Sequence, residues 1–345
     1  MGADFTSALY LGLRHASSAL QPWDELTLGK PAALAPVPGE VALGAELAGL
    51  MDCAAACLLP STLHLFWDVF GWLAGQHCAV LVDAAAYPVA RWGVERAAAR
   101  GAPVQLFRTG DAAHAGQLAR SWRNTGRLPL LLADGYSPGC EAPPPLAAYA
   151  EIAASQRGLL LLDDTQALGV LGPRGGGSVP AHGLAGAPVL CGASLAKGFG
   201  VPLAVLAGPR GLLGRFMAAS ESRVHCSPPS AVLVAAAGHA LQLNRRTGNA
   251  LRLRLRERVA QLRGLLAAQG IACTGGSFPV QRIALAPGSD GPDLHARLSL
   301  AGIEVLLQGT RAQPVLTLLL RADHGAEEVA HAARTIAQLM EVQHV

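Results

Sequence analysis

The chain has 345 residues, 51% of them apolar and 15% charged, with a formal net charge of +3. That length supplies a large core and one or two domains, and so small a positive charge gives no case for a nucleic-acid partner. No apolar run reaches the ~20 residues of a membrane-spanning helix and Met1-Gly2-Ala3-Asp4 does not open a signal peptide, so no membrane partner and a cytoplasmic location are expected.

The first forty residues are extended and proline-rich, with Pro22, Pro31, Pro36 and Pro38. From Gly39 the pattern alternates between helix and strand. Residues 45–56 read as a helix, and Ser61 or Thr62 is placed to cap an apolar helix over 63–74. A helix N-terminus with free amides and hydroxyls is a natural phosphate site, although plain capping explains each hydroxyl equally well. A strand follows at 78–83, then a helix over 89–100. A strand at 128–133 runs into Asp134-Gly135-Tyr136-Ser137, and a helix over 147–157 precedes Gly158-Leu159-Leu160-Leu161-Leu162-Asp163. Repeated βα units with buried strands predict an α/β fold, a mostly parallel sheet with helices on both faces. A long helix then extends to Gln269, and 272–345 read as a small α+β domain. Within the long helix, Arg252, Arg254, Arg256, Arg258 and Arg263 predict a solvated basic face, the alternative being a groove for the phosphates of coenzyme A. Seven cysteines are scattered without Cys-x-x-Cys spacing, so neither a metal site nor a disulfide framework is expected.

Chemistry concentrates at two of these segments. The chain has only two lysines, Lys30 and Lys197, against twenty-five arginines. Arginine keeps its proton, whereas burial lowers the pKa of a lysine until the amine becomes a nucleophile or base. Lys197 sits in the nearly apolar Ala193-Ser194-Leu195-Ala196-Lys197-Gly198-Phe199-Gly200. Four leucines ending in Asp163-Asp164 read as a strand buried on both faces, and ligands of open α/β sheets bind beyond such strand ends. A carboxylate and an amine at neighbouring strand ends suit pyridoxal phosphate, which needs a lysine for its aldehyde and an anion for its pyridine nitrogen. A snorkelling Lys197, and carboxylates that only cap or turn the chain, are the plainer alternatives.

The run Asp163-Asp164-Thr165-Gln166-Ala167-Leu168-Gly169-Val170-Leu171-Gly172, followed by Ser194-Leu195-Ala196-Lys197-Gly198-Phe199-Gly200-Val201, resembles the α-oxoamine synthase family of fold-type-I pyridoxal-phosphate enzymes. The likeness extends to 4–13 and to 298–307. It implies a mostly parallel seven-stranded sheet, with 201–208 reversed, in a large cofactor domain (41–235). An N-terminal segment (1–40) packs on the small domain, and the long helix and small α+β domain follow (236–345). It assigns Asp163 to the pyridine nitrogen, Lys197 to the aldehyde and Ser194 to the phosphate. Ser61 and Thr62 stand at the family's phosphate cradle, and Ser137 where the family has an active-site serine. His225, in His225-Cys226-Ser227-Pro228-Pro229, resembles a residue that reaches the neighbouring subunit's phosphate. The implied partners are an amino acid, an acyl thioester and a second copy of the chain sharing the active sites.

Three positions depart from the pattern. Gln166 replaces a histidine; it still donates a hydrogen bond but is no general acid. Tyr87 replaces the histidine over the ring, where an aromatic face suits stacking. Thr317 stands where the family has the arginine for the substrate carboxylate. Arg321 is four residues on, roughly 13 Å along a strand, and Arg311, in the preceding loop, is the nearer substitute. The resemblance implies condensation of an amino acid with an acyl thioester, with loss of CO2. Transamination on the same fold, and a non-catalytic relative acting as a partner subunit, are the rival readings.

Overall fold

A computed structural model describes residues 2–16, 18, 20, 26–140 and 142–341; Pro22, in the proline-rich opening, lies outside the described residues. The chain begins β1 (Ala3–Asp4), α1 (Glu40–Leu50), β2 (Ala55–Leu59), α2 (Thr62–Ala74), β3 (Cys78–Asp83), α3 (Pro88–Ala99), β4 (Val104–Phe107), α4 (Ala112–Asn124) and β5 (Leu128–Asp134). It continues α5 (Leu146–Ser155), β6 (Leu159–Asp163), α6 (Ser178–Ala181), β7 (Val189–Ser194), α7 (Ala196–Phe199), β8 (Ala204–Gly208), α8 (Arg210–Ala219), α9 (Glu221–His225) and α10 (Ala231–Ala267). It closes with β9 (Val280–Ala284), α11 (Gly291–Leu300), β10 (Ile303–Glu304), β11 (Leu306–Thr310), β12 (Gln313–Leu319) and α12 (Ala326–Glu341). Two compact units result. The larger holds Arg14–Ser137 and Ala142–Arg246; the smaller holds Met1–Leu13, Pro138–Glu141 and Thr247–Val345.

In the larger unit seven strands take the order β2-β8-β7-β6-β5-β3-β4. All neighbours from β7 through β4 pair parallel, and β8 runs antiparallel to both β7 and β2. The leucines of β6 and the alternating aliphatics of β3 are buried on both faces, which is why these strands read as continuous apolar runs. Phe66, Val69 and Phe70 of α2 cover one face in a cluster with Val80, Leu132 and Leu161.

The expected helix over 45–56 is corrected. α1 starts earlier and ends at Leu50, Asp52 adopts a left-handed φ of 54°, and the chain re-enters the sheet as β2 in register with β8, Ala55 against Gly208. Alanine-rich sequence carries little helical or strand periodicity, so pairing decides its state. β4 was likewise not anticipated: it is an edge strand with three of its four residues exposed. The solvated arginine face of α10 is also corrected in part. Arg254 and Arg256 are exposed, but Arg252 is buried, donates to Asn249 Oδ1 at 2.7 Å, and is pulled down to about 10 in pKa by that burial and by Arg256.

The smaller unit is built on a three-stranded antiparallel sheet, β11-β12-β9, with a parallel two-stranded pair β1-β10. Leu316, Leu318 and Ile283 alternate with Thr317 and Arg282 along this sheet and belong to the core, with Leu294, Leu298, Val329 and Ile336 of α11 and α12 also buried. No helix of the described residues is long and apolar enough to cross a membrane.

Candidate active site

The C-terminal ends of β3, β5 and β6 each finish on an aspartate: Asp83, Asp134 and Asp163. Register sets Asp134 against Asp163, and Asp163 against Gly192 of β7, two residues before Ser194. β7 then runs through Leu195 into α7, which carries Lys197. Close approach of α7 to the turn after Asp163 depends on two glycines. A Cβ on Gly198 would lie 2.4 Å from the carbonyl oxygen of Leu168, and one on Gly169, at φ +90°, would lie 2.7 Å from Gly198 Cα. Side chains at either position would push Lys197 away from the strand ends.

Burial raises the pKa of Asp163, while hydrogen bonding from Thr165 and the charge of Lys197 hold it down. Burial lowers the pKa of Lys197, with Asp163 and Asp134 opposing that fall. Asp134 is pushed up to about 8, first by burial and then by the Asp163 carboxylate beside it. It accepts from the Tyr87 amide at 3.2 Å and, at 3.5 Å, from the Ser137 hydroxyl. Tyr87, 51% exposed, precedes the first turn of α3, and Lys197 Nζ lies 5.8 Å from its ring centroid, within cation–π range. Thr165 ties the cluster together: the Asp163 carboxylate accepts from its amide at 3.1 Å, and its Oγ1 accepts from the Ser194 amide at 3.0 Å. Ser194 Oγ in turn accepts from the Ala196 amide at 3.2 Å, at the start of the Lys197 helix.

Of the two adjacent carboxylates, Asp164 is the structural one. It accepts from the Ser178 amide at 2.9 Å, its own amide donates to Gly192, and burial raises its pKa to about 6. Gln166 is half-buried in the turn after Asp163. Ser61 caps α2: its Oγ accepts from the His64 amide at 3.4 Å and lies 2.8 Å from His64 Nδ1, while Thr62 is the first helical residue. His64 and the exposed His225 line one cavity of about 440 Å³ with Leu63, Trp67, Ser222 and Cys226. Thr317 and Arg311 belong to the smaller unit. Thr317 is buried and donates to Gln308 Oε1 at 2.8 Å; Arg311 is exposed at the β11–β12 turn.

Sequence reading passed over Asp134, Thr165 and His64. Asp134 carried the same signal as Asp163, a carboxylate closing an apolar strand. Thr165 and His64 become visible only once the strand ends and the helix cap are in place.

A half-buried amine facing two buried carboxyls, with an aromatic face 5.8 Å away and a hydroxyl-capped helix start in the same unit, has the donor set that pyridoxal phosphate requires. The parallel sheet with one reversed strand and a lysine just past β7 defines a fold-type-I pyridoxal-phosphate enzyme. Residues 130–290 match the family model described as aminotransferase class I and II. The chain is 31% identical over 315 residues to the 8-amino-7-oxononanoate synthase of Halorhodospira halophila, covering 87% of this chain and 74% of that one. It spans 50–62% of the length of four further relatives of that name. The fold is shared with the serine palmitoyltransferase of Sphingomonas wittichii (TM-score 0.88, 15% identity, 98% of this chain and 87% of that one). It is shared too with the 8-amino-7-oxononanoate synthase of Francisella tularensis (TM-score 0.82, 17% identity, 100% and 99%). The chain belongs to the α-oxoamine synthase family, whose cofactor is pyridoxal phosphate.

Proposed function

We propose that this protein joins an amino acid to an acyl thioester and releases CO2, giving an α-aminoketone. In the net reaction the amino-acid α-carbon bonds to the thioester carbonyl carbon. The C–S bond breaks to free the thiol, and the carboxyl group leaves as CO2. The observation that carries this reading is the pairing of Lys197 with Asp163 at adjoining strand ends, in a chain 31% identical to an 8-amino-7-oxononanoate synthase.

Bound pyridoxal phosphate supplies an electron sink for the pair left on the α-carbon. The chain's own residues do the rest. Lys197 would hold the cofactor aldehyde, and its amine would take the α-proton; burial favours the neutral amine this needs. Asp163 would offer its carboxylate to the pyridine nitrogen, where a cation would lower the cost of a buried anion. Tyr87 would cover the ring, and Gln166 would donate to the phenol oxygen or a substrate carbonyl. Ser61, Thr62, Ser137 and Ser194 offer hydroxyls to the phosphate and its surroundings.

The active form is a cytoplasmic homodimer with His225 contributing across the subunit boundary. Leu63 and Trp67 are 46% and 47% exposed and line the same cavity as His225, and exposed apolar side chains there support a covering subunit. Light scattering of the cofactor-loaded protein tests this: the mass expected is two chains, and the mass of one chain overturns it. The reaction is tested with carboxyl-labelled amino acids and a panel of acyl thioesters. Labelled CO2 and free thiol are expected together. A keto acid without thiol release identifies a transaminase instead.

A further inference from the structure

The turn that carries Lys197 is short and needs support at both ends. α7 has four residues, Ala196–Phe199, and a single turn is not stable by its own hydrogen bonds. Its first end is held by Ser194 Oγ, which accepts from the Ala196 amide at 3.2 Å. Within the turn, the Phe199 amide donates to the Leu195 carbonyl at 2.9 Å and the Gly200 amide to the Ala196 carbonyl at 3.2 Å. Gly200, at φ 69°, then ends the helix. The Phe199 carbonyl has no partner inside α7, because the Leu203 amide, four residues on, donates to Val201 instead. Phe199 is fully buried, and a buried carbonyl left unmet is costly.

His15 meets that carbonyl. Its Nε2 lies 2.8 Å from the Phe199 oxygen, and its Nδ1 lies 3.2 Å from Nδ1 of His239 on α10. All three residues belong to the larger unit. A carbonyl only accepts, so His15 Nε2 carries a hydrogen. Neutral His15 then has a bare Nδ1, which accepts from the Nδ1–H of His239. The two rings meet edge to face, with centroids 5.4 Å apart and planes at 76°. His239 thereby fixes the tautomer and the orientation of the imidazole that closes α7.

We propose that His15 is a positioning residue for Lys197, two residues before Phe199 in the chain. By donating from Nε2 to the Phe199 carbonyl, it holds the far end of the turn that presents the amine. The bare Cα atoms of Gly169 and Gly198 let α7 approach the turn after Asp163; His15 keeps it there. The bearing on catalysis rests on the cofactor reading above, whereas the geometry rests on hydrogen bonds within one unit.

The test follows hydrogen–deuterium exchange in the full-length protein incubated with pyridoxal phosphate. Beside it run steady-state kinetics with the substrate pair that the labelled-CO2 assay selects. His15→Ala is expected to speed exchange of the Phe199 and Gly200 amides roughly 3- to 10-fold, the effect of losing one neutral hydrogen bond. The kcat is expected to fall by a similar factor with the thioester KM unchanged, because a displaced amine slows proton transfer. The amide nitrogen of glutamine can stand in for a histidine Nε2, and that of asparagine for Nδ1. His15→Gln should therefore recover most of both losses, and His15→Asn should resemble His15→Ala. Unchanged exchange at residues 199–200, exchange that speeds equally throughout the larger unit, or equal behaviour of His15→Gln and His15→Asn would each overturn the assignment. The expected exchange in a protein that forms no visible band with pyridoxal phosphate would support the clamp and overturn the cofactor reading instead.

Discussion

The C-terminal edge of the parallel sheet and the antiparallel sheet of the smaller unit carry different kinds of information. At the first, Asp163, Thr165, Ser194 and Ala196 interlock through backbone and hydroxyl bonds, and Lys197 follows directly in the chain. At the second, Thr317 pairs across the sheet with Arg282 on one side and Leu306 on the other, and its hydroxyl donates to Gln308. The first region therefore depends on side-chain and backbone bonds around an aspartate and a serine, and the second on strand pairing.

The comparison is broken most severely at Lys197. Lys197→Ala is expected to lower turnover by roughly 10²–10⁴-fold through loss of proton transfer alone, read as CO2 release under saturating substrates. Asp163→Asn should follow with a loss of roughly 10²–10³-fold, while the thermal midpoint stays level or rises, because a buried charge is removed. A matching fall in stability would show that Asp163 is structural. Thr165→Val leaves the part-buried Ser194 amide without its acceptor and should cost about 1 kcal/mol in denaturant unfolding.

Asp134 gives a pH-dependent effect. Its folded pKa of about 8 lies above the reference value of 3.8. The unfolded carboxyl is ionised from about pH 4 while the folded one still holds its proton. Stability therefore falls as pH rises from about 4 to 8, and levels off above that. In cofactor-free protein, Asp134→Asn should become more stable relative to wild type between pH 5 and pH 8, by on the order of 1 kcal/mol or more. A difference that does not change with pH would place the proton elsewhere. The smallest effect is expected at Ser61→Ala, about 1 kcal/mol from loss of the α2 cap.

Legibility in the sequence followed the same divide. The aliphatic runs of β3, β5 and β6 announce buried parallel strands, and the aspartates that close them mark the edge where ligands bind. Lys197 is conspicuous because lysine is otherwise nearly absent. Residues 54–56, three alanines, have no preference strong enough to separate helix from strand, so β2 emerged only from its pairing with β8. β4 was obscured because an edge strand needs no apolar run.

The central claim is that Lys197 holds the cofactor, and the chain supplies its own control, since Lys30 is the other lysine. Borohydride reduction of the cofactor-loaded protein, followed by proteolysis and peptide mass mapping, should place the pyridoxyl adduct on the peptide containing Lys197 and abolish the visible absorbance band. An adduct on the Lys30 peptide, or a Lys197→Ala protein that keeps the same reducible band, would contradict the account.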